Sequence, residues 1–134
     1  MPFKFIFKLP LKKDVVLIYP NQESLIKDYI LKEISYECID VGNWLCLHPQ
    51  IILNTFKLFR SIKISKCLSA KGRLITLIKR MYEKHLQAYI EAIGPRVVIT
   101  FIDDSTVFHR LACNYNFPTY ISIQNGLRQN FYFD

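Results

Sequence analysis

The chain reads as an α/β protein, a Rossmann-like open parallel sheet with helices on both faces, including one long helix at about residues 73–93. Three observations predict this. Short apolar runs such as Asp14–Tyr19 and Arg96–Ile102 each stop at a polar tip; a segment of helical period separates the first run from a second over Tyr36–Val41; and one apolar stripe at 3–4 spacing continues from Leu74 to Ile93. Parallel strands require a crossover of a dozen or more residues, most often a helix, and strands covered on both faces are nearly continuously apolar.

Taken in order, residues 1–13 form a basic extension in which Lys4 and Lys8 interrupt the apolar residues and no small-residue cleavage site follows, so no secretory leader is expected. The domain proper is expected over 14–134. Asp14–Tyr19 is a strand ended by Pro20-Asn21, and Asn21 caps a helix over Gln22–Glu33 whose apolar positions Leu25, Ile26, Tyr29 and Ile30 share one side. Tyr36–Val41 is the second strand, stopped at Gly42-Asn43, which completes a βαβ unit. Trp44–Leu47 is a short strand or loop. Pro49 opens a helix to about Arg60 with Ile52, Phe56 and Phe59 turned inward. The long helix then carries Leu74, Ile75, Ile78, Met81 and the aromatic positions of the stripe as core, and it stops at Gly94-Pro95. Arg96–Ile102 is a buried strand ending at Asp103-Asp104, a helix follows over about Ser105–Asn114, and Pro118–Ile123 is a strand ending at Gln124-Asn125-Gly126.

The 134 residues hold 18 Lys+Arg against 11 Asp+Glu, and 51% are apolar. A chain this long buries about two-thirds of its unfolded surface, so it needs neither disulfides nor metal, and its 14% aromatic content excludes disorder. The longest uncharged stretch, 41–56, is broken by polar residues and is shorter than the roughly 20 apolar residues of a spanning helix. Cys38, Cys46, Cys67 and Cys113 have no C-x-x-C spacing and read as buried reduced thiols. The charge is local. No acidic residue lies between Asp40 and Glu83, whereas that interval holds eight Lys and Arg, so the rest of the chain is close to neutral. Lys57, Arg60, Lys63, Arg73, Lys79 and Arg80 are therefore the candidate face for an anionic partner, with a solvated helix surface as the plain alternative.

In an open parallel sheet, ligands bind beyond the carboxyl ends of the strands. The groups aimed there are Asn21 and Gln22, Asp103 and Asp104, and Gln124, Asn125, Gly126 and Arg128. Each has a plainer explanation. Asp104 or Ser105 can cap the following helix, Asn125-Gly126 is a turn dipeptide, and Arg128 either forks onto a phosphate or carboxylate or points to water. His85, on an apolar helical stripe, is expected to be a satisfied packing residue. No phosphate loop, nucleophile elbow or zinc-protease motif is present, and spacing alone names no catalytic group.

The block Gly94-Pro-Arg-Val-Val-Ile-Thr-Phe-Ile-Asp-Asp104 with Phe108 and Leu111, followed by Tyr120-Ile-Ser-Ile-Gln-Asn-Gly-Leu-Arg128, resembles the N-terminal half of bacterial surface-carbohydrate biosynthesis proteins. These are similar to two-domain glycosyltransferases of the GT-B type. The likeness extends from Asp14 onward, and Asp104 departs from the Asn expected in many relatives. The resemblance implies an acceptor-side domain in polysaccharide biosynthesis, with Asp103, Asp104, Gln124, Asn125, Gly126 and Arg128 at the interdomain cleft. It also implies that no cofactor is held by this chain, that the nucleotide-sugar donor comes with a C-terminal domain absent here, and that the chain alone is inactive as a transferase. The expected partners are a lipid-linked or phosphorylated glycan acceptor and an anionic membrane touched peripherally, in the cytoplasm at the inner membrane face. Two other classes are carried beside it: a non-enzymatic basic module for anionic membrane or nucleic acid, of which the nucleic-acid version lacks any recognition motif, and a small flavodoxin-like nucleotide-binding domain.

Overall fold

The computed structural model describes residues 3–19, 23, 33–62, 69–102 and 105–123. Its elements are β1 (Lys4–Ile6), β2 (Val15–Ile18), β3 (Tyr36–Ile39), β4 (Trp44–Cys46), α1 (Pro49–Phe59), α2 (Ala70–Ile93), β5 (Val97–Thr100), α3 (Thr106–Asn114) and β6 (Thr119–Ser122). The fold is the expected Rossmann-like α/β arrangement. A four-stranded sheet runs β3-β2-β5-β6 with every neighbour parallel, and β2 sits between β3 and β5 with Val15 opposite both Tyr36 and Val97. The helix expected over Gln22–Glu33 lies outside the described residues except at its ends.

Alternation along β2 and β5 divides the core. Val16, Ile18 and Val98 join Ile51 of α1, Leu86, Tyr89, Ile90 and Ile93 of α2, and Phe108 and Leu111 of α3. Val15, Leu17, Ile99 and Phe101 form a second cluster, with Tyr36, Cys38 and Val97 against it. The period of 2 in a strand sends neighbouring side chains to opposite faces, which is why all four residues of β2 are buried. The helix ends follow the local sequence. Ser69 Oγ accepts from Gly72 N–H at the start of α2, Ser105 Oγ accepts from Phe108 N–H at the start of α3, and Gly94 closes α2 in the left-handed region at φ 65°.

Three expectations are corrected. The inward face of α1 is Ile51 and Thr55, with Phe56 exposed and Ile52 and Phe59 half-buried. The helix is turned so that Thr55 meets His85 of α2, and six apolar residues scattered around α1 gave its sequence no unique face. The stripe of α2 is core only in its second half: Leu74, Ile75, Ile78 and Met81 are 58%, 45%, 58% and 43% exposed. At about 1.5 Å per residue a 24-residue helix is about 36 Å long, whereas a four-residue strand covers about 13 Å. The surplus overhangs the sheet. Of the cysteines, Cys46 is buried, Cys38 half-buried and Cys113 exposed, so the buried-thiol expectation holds for the first and fails for the last; Cys67 lies outside the described residues.

The segment read as an extension contributes β1, which pairs in parallel with β4 in a separate two-stranded sheet, Phe5 opposite Leu45. Among the described residues no helix is long and apolar enough to cross a membrane.

Candidate functional site at the carboxyl edge

From β2 the sheet grows to β3 on one side and to β5 on the other, so the chain leaves the carboxyl ends of two adjacent strands in opposite directions. Such a switch point opens a crevice above the sheet. Two backbone features mark it. Tyr19, the first residue after β2, has φ 61° and donates its N–H to Ile39 O at 3.0 Å. A bulky residue in the left-handed region is strained by about 1–3 kcal/mol and persists where the surroundings hold it. Gly42, after β3, has φ 97° and donates its N–H to the Tyr82 hydroxyl at 2.9 Å. A Cβ there would meet nothing within 4 Å, so the backbone conformation, not space, calls for glycine.

The overhang of α2 walls this edge. A groove of about 740 Å³ lies between it, the Gly42 turn and the start of α3. Thr76, Lys79, Tyr82, Thr106 and Arg110 supply its polar lining, and Leu45 and Ile78 its apolar floor. Burial pushes the Tyr82 hydroxyl above its ordinary pKa, which keeps it neutral and able to donate. Behind the groove Glu83 accepts from Arg110 Nη1 at 2.7 Å and from Arg80 Nη1 at 3.2 Å, tying α2 to α3. A smaller cavity of about 210 Å³ adjoins it, with Lys84 and Gln87 in its wall. Lys84 donates to Gln87 Oε1 at 2.9 Å, and burial lowers its pKa. One carboxylate between two guanidiniums and an ammonium leaves the region cationic. With hydroxyls beside it, the groove is suited to a ligand that carries negative charge and hydrogen-bonding oxygens.

Asn21, Gln22, Asp103, Asp104, Gln124, Asn125, Gly126 and Arg128 lie outside the described residues. Their described neighbours stand at this edge: Ile123 N–H donates to Thr100 O at 2.8 Å, and Ser105 is the cap of α3. Of the proposed anionic-partner face, Lys57, Arg60, Arg73 and Lys79 are exposed, Arg80 is half-buried in its bond to Glu83, and Lys63 lies outside the described residues. Sequence reasoning missed Tyr82, Glu83 and Arg110. Tyr82 and Gly42 are 40 residues apart and Arg110 and Glu83 are 27 apart, so only the packing of α2 against the turn and α3 brings each pair together.

Below the groove, His85 is the satisfied packing residue expected. Cys46 N–H donates to its Nε2 at 3.1 Å. Thr55 Oγ1 donates to Ile51 O at 2.7 Å and therefore accepts from His85 Nδ1 at 3.1 Å, which fixes the neutral Nδ1–H tautomer. Burial lowers the His85 pKa in the same sense.

Among the described residues no group of three His, Cys, Asp or Glu could hold a metal ion. No protein-family model matches the chain, and no curated protein and no solved structure matches it significantly.

Proposed function

We propose that this is the acceptor-side domain of a glycosyltransferase-like protein of cell-surface polysaccharide biosynthesis, with a phosphorylated or lipid-linked glycan acceptor in the groove at the carboxyl edge. One observation carries the reading: the groove lies between the Gly42 turn that follows β3 and the start of the helix that follows β5, and offers Lys79, Arg110 and Tyr82 together. The resemblance of the β5 and β6 segments adds the reaction class. A nucleotide-sugar donor then belongs to a second domain facing this edge, and the chain by itself binds acceptor without turning it over.

A water-soluble short-chain lipid pyrophosphate sugar is the probe. Titration by calorimetry is expected to give saturable binding that falls about tenfold or more in Lys79→Ala/Arg110→Ala, as the loss of two charge-assisted contacts predicts. In an active pair with a donor-binding domain, Asp103→Ala and Arg128→Ala are expected to cut transfer and leave the circular dichroism spectrum unchanged. A chain that binds no phosphorylated glycan, or a set of pairings that never transfers sugar, counts against the proposal. The strand order, counted as 2-1-3-4 within the main sheet, also fits a flavodoxin-like nucleotide domain. Tighter binding of a free mononucleotide than of the glycan probe would favour that second reading.

A further inference from the structure

The overhanging half of α2 carries exposed apolar side chains that have no partner among the described residues. Phe56 of α1, Leu45 of β4, and Ile78 and Met81 of α2 line an almost wholly apolar groove of about 260 Å³. Leu45 and Ile78 also floor the carboxyl-edge groove, where Phe3 joins them. Leu74 and Ile75 continue the surface one turn toward the start of α2, and Phe5, whose ring lies 5.0 Å from that of Phe3, extends it along β1. Exposed apolar side chains on three neighbouring elements make a contiguous patch of the kind that marks an interaction surface.

Charge decides what covers it. The 41–82 segment that supplies most of the patch contains no acidic residue. Helical period places Lys79 on the flank of the exposed stripe of α2 and Lys71 in line with it at its N-terminal end, and exposed Lys57 follows Phe56 on α1. Arg73 and Arg80, seven residues apart, share the other side of α2, where Arg80 bonds Glu83. The nearby acids are occupied, Asp40 by Asn43 and Glu83 by two arginines. A second copy placed on this patch would bring cation against cation. An apolar stripe rimmed by lysine is what an amphipathic element lying in a membrane interface requires.

We infer that the α1/α2 overhang docks on the surface of an anionic lipid bilayer, with Phe56, Leu74, Ile75 and Ile78 in the headgroup and acyl boundary and Lys57, Lys71 and Lys79 among the headgroups. The patch opens beside the carboxyl-edge groove, so docking would hold that groove at the bilayer surface. The inference does not rest on the transferase proposal: a chain that binds vesicles and no glycan satisfies it, and one that binds glycan but no vesicles refutes it alone.

Cosedimentation of the full chain with vesicles of phosphatidylcholine containing about one-third phosphatidylglycerol tests it. Partitioning is expected to weaken at least about tenfold on pure phosphatidylcholine, and by a similar factor in Lys57→Glu/Lys79→Glu. Ile75→Glu/Ile78→Glu, at positions already exposed, is expected to lose binding while keeping the wild-type circular dichroism spectrum. On the unaltered chain, vesicles should slow amide exchange over α1 and the first half of α2 and leave α3 unchanged. Equal partitioning of wild type and both variants overturns the inference. So does protection centred on α3, or a concentration-dependent dimer that Ile75→Glu/Ile78→Glu abolishes, since that would make the patch a contact between copies.

Discussion

His85 carries an unusual share of the structure for one side chain. Through Nε2 it holds the backbone of β4, through Nδ1 it holds Thr55 of α1, and its ring lies 5.8 Å from that of Trp44. Both bonds demand the neutral ring, because protonation would set an Nε2–H against the Cys46 N–H. Burial lowers its pKa below the ordinary 6.5. The unfolded chain therefore takes up the proton first, and stability falls with pH. The contribution is complete above pH 6.5 and is lost as pH drops through the lower folded value. Urea unfolding from pH 7.5 to pH 5 should show a falling midpoint in the wild type. In His85→Gln, whose amide oxygen can still accept from Cys46 N–H, the fall should be shallower; an equal fall in both would place the proton elsewhere. That a histidine on an apolar stripe would be a satisfied packing residue was legible from sequence. Its partners were not, since Cys46 and Thr55 lie 39 and 30 residues away.

Elements were more legible than their orientation. Strands β2, β5 and β6 and helices α2 and α3 follow from apolar β-branched runs, from the 3–4 stripe, and from cap and stop residues such as Gly94 and Ser105, all of them local signals. The rotation of α1 is not local. Ile51, Ile52, Leu53, Phe56, Leu58 and Phe59 lie around much of its circumference, and the choice of Ile51 and Thr55 as the inner side is made by α2. The observed orientation separates two substitutions sharply. Ile51 is fully buried, so Ile51→Ala should lose about 2–5 kcal/mol through lost transfer energy and a residual cavity. Phe56 is about half exposed, and Phe56→Ser should change stability by no more than about 0.5 kcal/mol. Chemical denaturation of the two variants decides it; comparable losses would mean that α1 is turned the way its sequence first suggested. The groove shows the same limit. Strands ending in polar tips pointed to the carboxyl edge, but the wall formed by Tyr82, Glu83 and Arg110 depends on how far α2 reaches past the sheet.

For the molecule as a whole, the question is what the first thirteen residues do. Alternating lysine and aromatic residues gave them the look of a solvated basic extension, and Phe5, Phe7 and Leu11 are indeed exposed. Yet Lys4 N–H donates to Asn43 O at 2.7 Å and Leu47 N–H donates to Ile6 O at 2.7 Å, so β1 brackets β4 at both ends. Strand β4 supplies Trp44 and Cys46 to the main core and the N–H that His85 accepts. Its other long-range strand pairing is absent among the described residues, because the four-stranded sheet does not include it. Removing residues 1–13 therefore strips β4 of its ladder and bares Leu45 and Cys46 together. At about 0.5–1.5 kcal/mol per hydrogen bond, a three-residue ladder contributes roughly 2–4 kcal/mol, enough to lower the melting temperature of a domain this size by about 10 °C. The damage should be directional. Exchange is expected to rise across β4, α1 and the middle of α2 around His85, where β4 and α1 pack, while β2 and β5 stay protected between parallel neighbours. A truncated chain that melts at the wild-type temperature, or one that loses protection evenly, would return the segment to the status of an appendage.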